Sequence, residues 1–322
     1  MSARGAVDEV TQAVRASGLL AGDDALLVML SGGRDSVCLL DVAVALRGSQ
    51  AVGALHVNYG LREGADADER HCRALCEQLS VALDVERVRR ENDAGGNLQA
   101  WAREVRYAAA HALARPRGGL IATGHTASDQ LETILYRLAA SPGRRALLGM
   151  PACEHGVVRP LLALTRAQTA AYCQGRGLSW REDESNDDPR YARTRVRNAL
   201  VPALRAVHPA AEANVLRTAA LLREEARVLD ELVEDELRGR AMISIARLRE
   251  LPPALARLLV VHLAERAAGT YVPQAGARVG ELLELGERGG RAELHLGGLV
   301  SGVVQGGMLE FVRIEPHNRA EA

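Results

Sequence analysis

Through the first 160 residues, short continuous apolar runs alternate with stretches whose apolar positions recur every three or four residues. Residues 25–30 (ALLVML) have the length and composition of a strand buried on both faces, and Gly32-Gly33 follow as a turn. Val37, Leu40, Val44 and Leu46 then predict a helix, 51–57 a second strand, and 65–80 another helix. Residues 81–88 read as a third strand, and 97–114 as a helix with Leu98, Trp101, Val105 and Ala108 on one face. A strand at 120–123, a helix at 127–139 and a strand near 157–159 complete the series, while Val7, Val10 and Val14 predict a short amphipathic helix ahead of it. Strands alternating with helices make right-handed βαβ units. The expected fold class is therefore α/β, a doubly wound parallel sheet covered on both faces.

After residue 180 the pattern changes. Residues 182–188 (EDESNDD) are acidic, and 189–205 carry five Arg and no acid. Residues 209–240 are helical and charge-laced, 254–268 and 277–285 also read as helices, and 291–296 and 308–314 alternate like strands. The expected division is an α/β domain over 1–208 and a smaller, mostly helical α+β domain over 209–322, in keeping with roughly 100–200 residues per domain.

Charge changes the picture little in total and much in kind. Forty basic and 41 acidic residues leave a net charge of −1, so a polyanionic partner must be met by a local patch. All 40 basic residues are Arg, which excludes a Schiff-base lysine, a covalent adenylyl-lysine and a Walker-type P-loop. The five cysteines form no C-x-x-C pair, which predicts reduced thiols. No apolar run approaches the roughly 18 residues of a membrane span, so the expected location is cytoplasmic.

The densest local chemistry is Ser31-Gly32-Gly33-Arg34-Asp35-Ser36, between the first strand and its helix. Two glycines let the backbone turn sharply, and amides at a helix N-terminus favour phosphate. Ser31 and Ser36 add hydroxyls, and Asp35 can hold a magnesium ion bridging phosphate oxygens.

This S-G-G-x-D-S turn resembles the pyrophosphate loop of the N-type ATP pyrophosphatases, the PP-loop superfamily. Five further blocks narrow the resemblance to the tRNA(Ile)-lysidine synthases. His56-Val57-Asn58-Tyr59-Gly60-Leu61-Arg62 is similar to their H-V-N-H-G-L-R segment, and the helix from Asn97 through Arg103 and Arg106 to Tyr107 to their N-x-E-x-x-A-R-x-x-R-Y. TGHTASDQLET at 123–133 resembles T-G-H-H-x-D-D-Q-x-E-T. Arg159-Pro160-Leu161-Leu162, and Asp183-Glu184-Ser185-Asn186 running on to Tyr191, Arg193, Arg195 and Arg197, resemble R-P-L-L and D-x-S-N-x-D.

The resemblance implies an adenine nucleotide alpha hydrolase-like fold and a ligase using ATP and Mg2+. Such enzymes adenylate O2 of the wobble cytidine in the CAU anticodon of an isoleucine tRNA, and free L-lysine then attacks C2. It implies catalytic roles for Asp35, Asp129 and Arg106, with Asp35 and Asp129 on the metal. Nucleotide contacts are expected from Ser31, Gly32, Gly33, Arg34, Asp35, Ser36, His56 and His125. Arg103, Glu132, Asn186, Arg193, Arg195 and Arg197 are expected to meet the lysine or the tRNA, Glu132 as a receptor for the ammonium. Thr126 replaces the family's second histidine and Ser128 the first aspartate of its D-D pair, and a homodimer is compatible with a chain of this size. Two alternatives stand beside this reading: a tRNA thiolase of the same superfamily, for which the cysteines lack pairing, and an RNA-binding protein without catalysis.

Overall fold

Leu26, Leu27, Val28 and Met29 are all buried, but they face two ways. Leu26 and Val28 join a core with Val10, Val14, Val37, Leu40, Leu75 and Tyr172, whereas Leu27 and Met29 meet Leu55, Ala110, Ala114 and Ile121. Alternate side chains of a strand point to opposite faces, so an unbroken apolar run means helices on both sides.

The computed structural model describes residues 3–60, 64–89, 98–141, 143–182, 190–297 and 299–314. Its strands in the first unit are β1 (Leu26–Met29), β2 (Val52–Asn58), β3 (Ala82–Arg87), β4 (Leu120–Ala122), β5 (Cys153–Glu154) and β6 (Val157–Val158). They lie in the order β3-β2-β1-β4-β6-β5, parallel except for β5, which runs antiparallel on the edge against β6. The chain leaves β1 to build β2 and β3 on one side and returns to place β4 on the other. That reversal between β1 and β4 is the switch point where open α/β sheets bind ligands.

The helices are α1 (Ala3–Ala16), α2 (Arg34–Arg47), α3 (Ala65–Leu79), α4 (Leu98–Ala114), α5 (Ala127–Ala140), α6 (Arg144–Leu148), α7 (Arg166–Arg176), α8 (Ala192–Arg195), α9 (Val201–Val207) and α10 (Ala211–Leu237). A π-helical stretch, Val196–Leu200, joins α8 to α9. Helices α1, α2, α3 and α7 contribute to one core, and α4 covers the opposite face of the sheet. Leu131 and Leu135 of α5 pack with Val196 and Val201, and Leu204, Val215 and Leu216 flank them.

The chain divides into units Met1–Ala220 and Leu221–Ala322, with α10 running through the division. The second unit has its own antiparallel sheet, β7 (Met242–Ser244), β8 (Arg291–His295), β9 (Val300–Gln305) and β10 (Met308–Arg313), in the order β7-β10-β9-β8. Helices α11 (Ile245–Glu250), α12 (Pro253–Ala268) and α13 (Val279–Leu285) supply Leu248, Leu259, Leu263 and Leu282 to a core with Val300 and Leu309. Among the described residues, no helix is long and apolar enough to cross a membrane.

Candidate active site

The turn after β1 is shaped by its own serines. The Ser31 amide donates to Ser36 Oγ at 3.2 Å, the Ser36 hydroxyl donates to the Gly33 carbonyl at 2.8 Å, and the two hydroxyls lie 3.1 Å apart. Gly32 has φ +84°, and a Cβ there would stand 3.2 Å from Cys72 Sγ. Both facts call for glycine. Gly33 caps α2 without a side-chain hydrogen bond. The positive end of α2 is thus presented at the switch point.

His56 does not line this turn from outside. It is buried in β2, with Nδ1 2.9 Å from the Leu30 carbonyl and 3.4 Å from Cys72 Sγ, and so supports the loop from beneath. The Arg181 amide donates to the Gly32 carbonyl at 2.9 Å, and its guanidinium holds Asp68.

The second wall follows β4. A Cβ on Gly124 would come within 3.0 Å of the Asp35 carbonyl carbon and oxygen, so glycine lets this turn press against the start of α2. Thr126 caps α5 in a capping box with Asp129, its amide and hydroxyl donating to Asp129 Oδ2 at 2.9 and 2.8 Å. The threonine that departs from the family pattern thus orients the expected catalytic carboxylate. Burial would raise the Asp129 pKa, but the Arg166 charge and the two Thr126 hydrogen bonds overcome it and hold the carboxyl below its usual value. His125, 2.7 Å from Thr123 Oγ1, is pulled down to about 4 by burial, helped by Arg159, Arg193 and Arg103 and opposed by Asp129. It is a neutral imidazole at pH 7.

Arg166, at the start of α7, is the residue that sequence reasoning passed over. Its Nη2 donates to Asp129 Oδ1 at 2.7 Å, its Nη1 to Glu132 Oε1 at 2.9 Å, and its Nε lies 3.9 Å from Asp35 Oδ2. One guanidinium therefore gathers three expected site carboxylates. Asp35 Oδ1 accepts from the Thr169 hydroxyl at 2.5 Å and from Arg34 Nε at 3.1 Å. The only local sequence signal was the Thr165–Gln168 capping box that starts α7.

Glu132 is buried and already multiply paired. Besides Arg166, it accepts from Arg197 Nε and Nη2 at 2.8 and 3.2 Å, and Arg193 Nε stands 3.9 Å away. Arg193 also donates to Thr133 Oγ1 at 3.0 Å. Two arginines expected on tRNA phosphates thus turn inward onto α5. Arg195, between them, is exposed, donates to the Arg190 carbonyl at 3.0 Å and lines an open groove of about 510 Å³ with Tyr136, Val196 and Leu200.

Arg103 and Arg106 lie three apart on α4 yet reach different partners. Arg103 stacks 4.6 Å above the Tyr107 ring, and the Arg106 charge bears on Tyr59. Tyr59 in turn donates to the Ala102 carbonyl at 2.8 Å and packs on Trp101. Asn58 of the H-V-N segment has a structural part, donating to Asp66 and to buried Glu69. Asn186, with Asp183 and Ser185, lies outside the described residues.

A model of the PP-loop domain matches residues 6–204. The chain belongs to the PP-loop domain family. It is 42% identical over 217 residues to a tRNA(Ile)-lysidine synthase from Pseudomonas fluorescens, covering 65% of this chain and 48% of that protein. With the tRNA(Ile)-lysidine synthase of an Azoarcus species it shares 38% over 292 residues, 87% of this chain and 64% of the relative. The chain spans about half the length of most of the curated relatives it matches. A U34-tRNA thiolase from Methanococcus maripaludis aligns over 68% of this chain and 80% of its own with a TM-score of 0.55 at 16% identity, a likeness of fold alone. Within the PP-loop domain, the serine-glycine turn and the Asp129 helix face one another across the β1–β4 reversal.

Proposed function

We propose that this PP-loop protein ligates lysine to C2 of the wobble cytidine in the CAU anticodon of isoleucine tRNA, using ATP. The observation that carries the reading is the meeting of the uncapped α2 N-terminus with the Asp35–Asp129–Glu132 cluster at the switch point. The curated relatives at 38–42% identity support the choice of substrate.

The chemistry divides into two displacements. Cytidine O2 attacks the α-phosphorus of ATP, its bond to the bridging oxygen breaks, and pyrophosphate leaves. The lysine ε-amine then attacks C2, gives up a proton, and the C2–O2 bond breaks to release AMP. Charge on the departing pyrophosphate is met by the α2 amides and by Arg34, already in place before reaction. A magnesium ion suits hard oxygens from one or two carboxylates with the rest from phosphates and water. Asp35 and Asp129 are such a pair, and among the described residues no cluster of three or more ligand side chains forms a closed cage. The ion would neutralise charge on the phosphates.

His125 acts beside Asp129 as a neutral hydrogen-bonding group. Glu132 would share its carboxylate between the lysine ammonium and the arginines it already holds, while exposed Arg195 and Arg103 are offered to tRNA. Sulfur delivery fits less well. Burial pushes the Cys72 thiol up to about 12 and the Cys76 thiol up to about 11, and Cys38 also rises, chiefly through its contact with Cys173.

The test incubates the protein with ATP, magnesium, radiolabelled lysine and CAU-anticodon isoleucine tRNA. Acid-precipitable label is expected, and none with methionine tRNA. Pyrophosphate release that depends on tRNA but brings no label would replace lysine by another nucleophile. Asp129→Asn, which keeps an oxygen for the Thr126 cap, is expected to lower pyrophosphate release at least a hundredfold while tRNA binding stays within about threefold. Release near the wild-type rate would remove Asp129 from the reaction.

A further inference from the structure

The carboxylate oxygens around Arg166 are not equivalent. Asp129 Oδ2 is taken by the Thr126 amide and hydroxyl, and Asp35 Oδ1 by the Thr169 hydroxyl and Arg34. The two oxygens left are Asp129 Oδ1 and Asp35 Oδ2, and both face Arg166, at 2.7 and 3.9 Å. A divalent ion shared by these two aspartates through those oxygens would stand where the guanidinium now stands. Arg166 and the ion therefore exclude one another there.

Arg166 has somewhere to go. Its Nη1 bond to Glu132 involves neither aspartate, so it can let go of Asp35 and Asp129 while Glu132 keeps hold of it. The guanidinium donors released in that exchange match phosphate oxygens in geometry and charge. Asp35, Asp129 and Glu132 all meet this one guanidinium, so a cation of some kind is needed between them. Among the described residues, the other titratable or charged groups facing the cluster are His125 beside Asp129, Arg34 on Asp35, and Arg193 and Arg197 on Glu132; none of these stands on the two aspartate oxygens in question.

We propose that Arg166 is an exchangeable internal counter-cation. It holds Asp35 and Asp129 pre-aligned, and hands them to a divalent ion as it moves onto the nucleotide phosphates. It is a positioning residue, and the inference rests on reading the site as one for ATP with a divalent ion.

The test measures Mn2+ binding from the free-ion electron paramagnetic resonance signal, with neither lysine nor tRNA present. Without nucleotide, Arg166→Gln is expected to bind Mn2+ at least tenfold more tightly than wild type, because the competing charge is gone. Arg166→Lys, which keeps the charge, is expected within about threefold of wild type. Equal or weaker binding by Arg166→Gln overturns the inference, as does equally tight binding by both variants. An arginine that only held the fold together would give weaker binding on removal.

A second measurement needs only the intact protein. The Nε–Hε resonance of Arg166 in 15N-arginine-labelled protein, identified by its loss in Arg166→Lys, is expected to shift when Mg2+ and a non-hydrolysable ATP analogue are added together. An unmoved resonance overturns the inference even if Arg166→Gln fails to fold. Wild type that takes up Mn2+ with ATP while the variants bind alike would sink the exchange alone. Wild type that takes up no Mn2+ even with ATP present would sink the ATP reading and the exchange with it.

Discussion

Glu69 keeps a charge in a place where charge is costly. Its side chain is only 4% exposed, yet it accepts from Arg87 at 3.0 and 2.7 Å, from Arg73 at 3.0 Å and from Asn58 at 3.0 Å. Arg87 is the largest influence; with Asn58 and Arg73 it outweighs burial and takes the Glu69 pKa from its ordinary 4.5 to about 2. A carboxyl depressed on folding contributes stability above its unfolded pKa, and that contribution fades as pH falls through the folded one. Because Arg73 and Arg87 are more than half exposed, solvent screens the pairs. Glu69→Gln is therefore expected to cost about 1–2 kcal/mol at pH 7. In urea denaturation, wild type and variant should converge between pH 4.5 and about 2. A gap that persists unchanged at the acid end would show that the charge was not the stabilising feature. Asn58 was legible in sequence only as part of a family-like segment; its two carboxylate partners are 8 and 11 residues away and gave no local sign.

At the level of elements, the site depends on how closely two turns approach. Gly124 brings the end of β4 against the first turn of α2, and Gly124→Ala would set a methyl 3.0 Å from backbone that has no rotamer to change. We expect tRNA-dependent pyrophosphate release to fall at least tenfold and stability to drop by about 1–3 kcal/mol, with the circular dichroism spectrum unchanged. Full activity in the alanine variant would mean that α2 accommodates the shift without moving Asp35. The strands and helices that frame this contact were readable because ALLVML has no polar break and the following helices keep their period. Other elements were not. Strand β5 is two residues long, too short for any period, and five of the six residues of β9 are buried, so it shows no alternation. Arg166 escaped notice for a related reason. Its carboxylates lie 34, 37 and 131 positions back along the chain, and only the fold brings them to one guanidinium.

On the scale of the whole molecule, the hydrophobic side chains divide into cores that belong to one unit or the other. Leu259 is fully buried among Leu248, Leu263, Leu282 and Leu309, all in the second unit. Leu259→Ala is expected to remove about 2–5 kcal/mol from that core. Hydrogen exchange followed by mass spectrometry should then speed up across β8, β9 and β10, while β1, β2 and β4 keep their protection. Equal acceleration in both sheets would show that the units unfold as one. The arginines gathered on Glu132 carry a consequence of another kind. Among the described residues, every cation that touches this carboxylate is a guanidinium, and the sequence contains no lysine. A guanidinium stays protonated through any physiological pH and is a poor nucleophile, whereas a primary amine is a good one. In the proposed reaction an activated base meets its incoming amine beside cationic side chains that do not compete as nucleophiles. Selectivity for the substrate amine is then partly a property of composition: no side-chain primary amine of this sequence can rival it. An amine-reactive ester would correspondingly find no side-chain amine anywhere in this sequence.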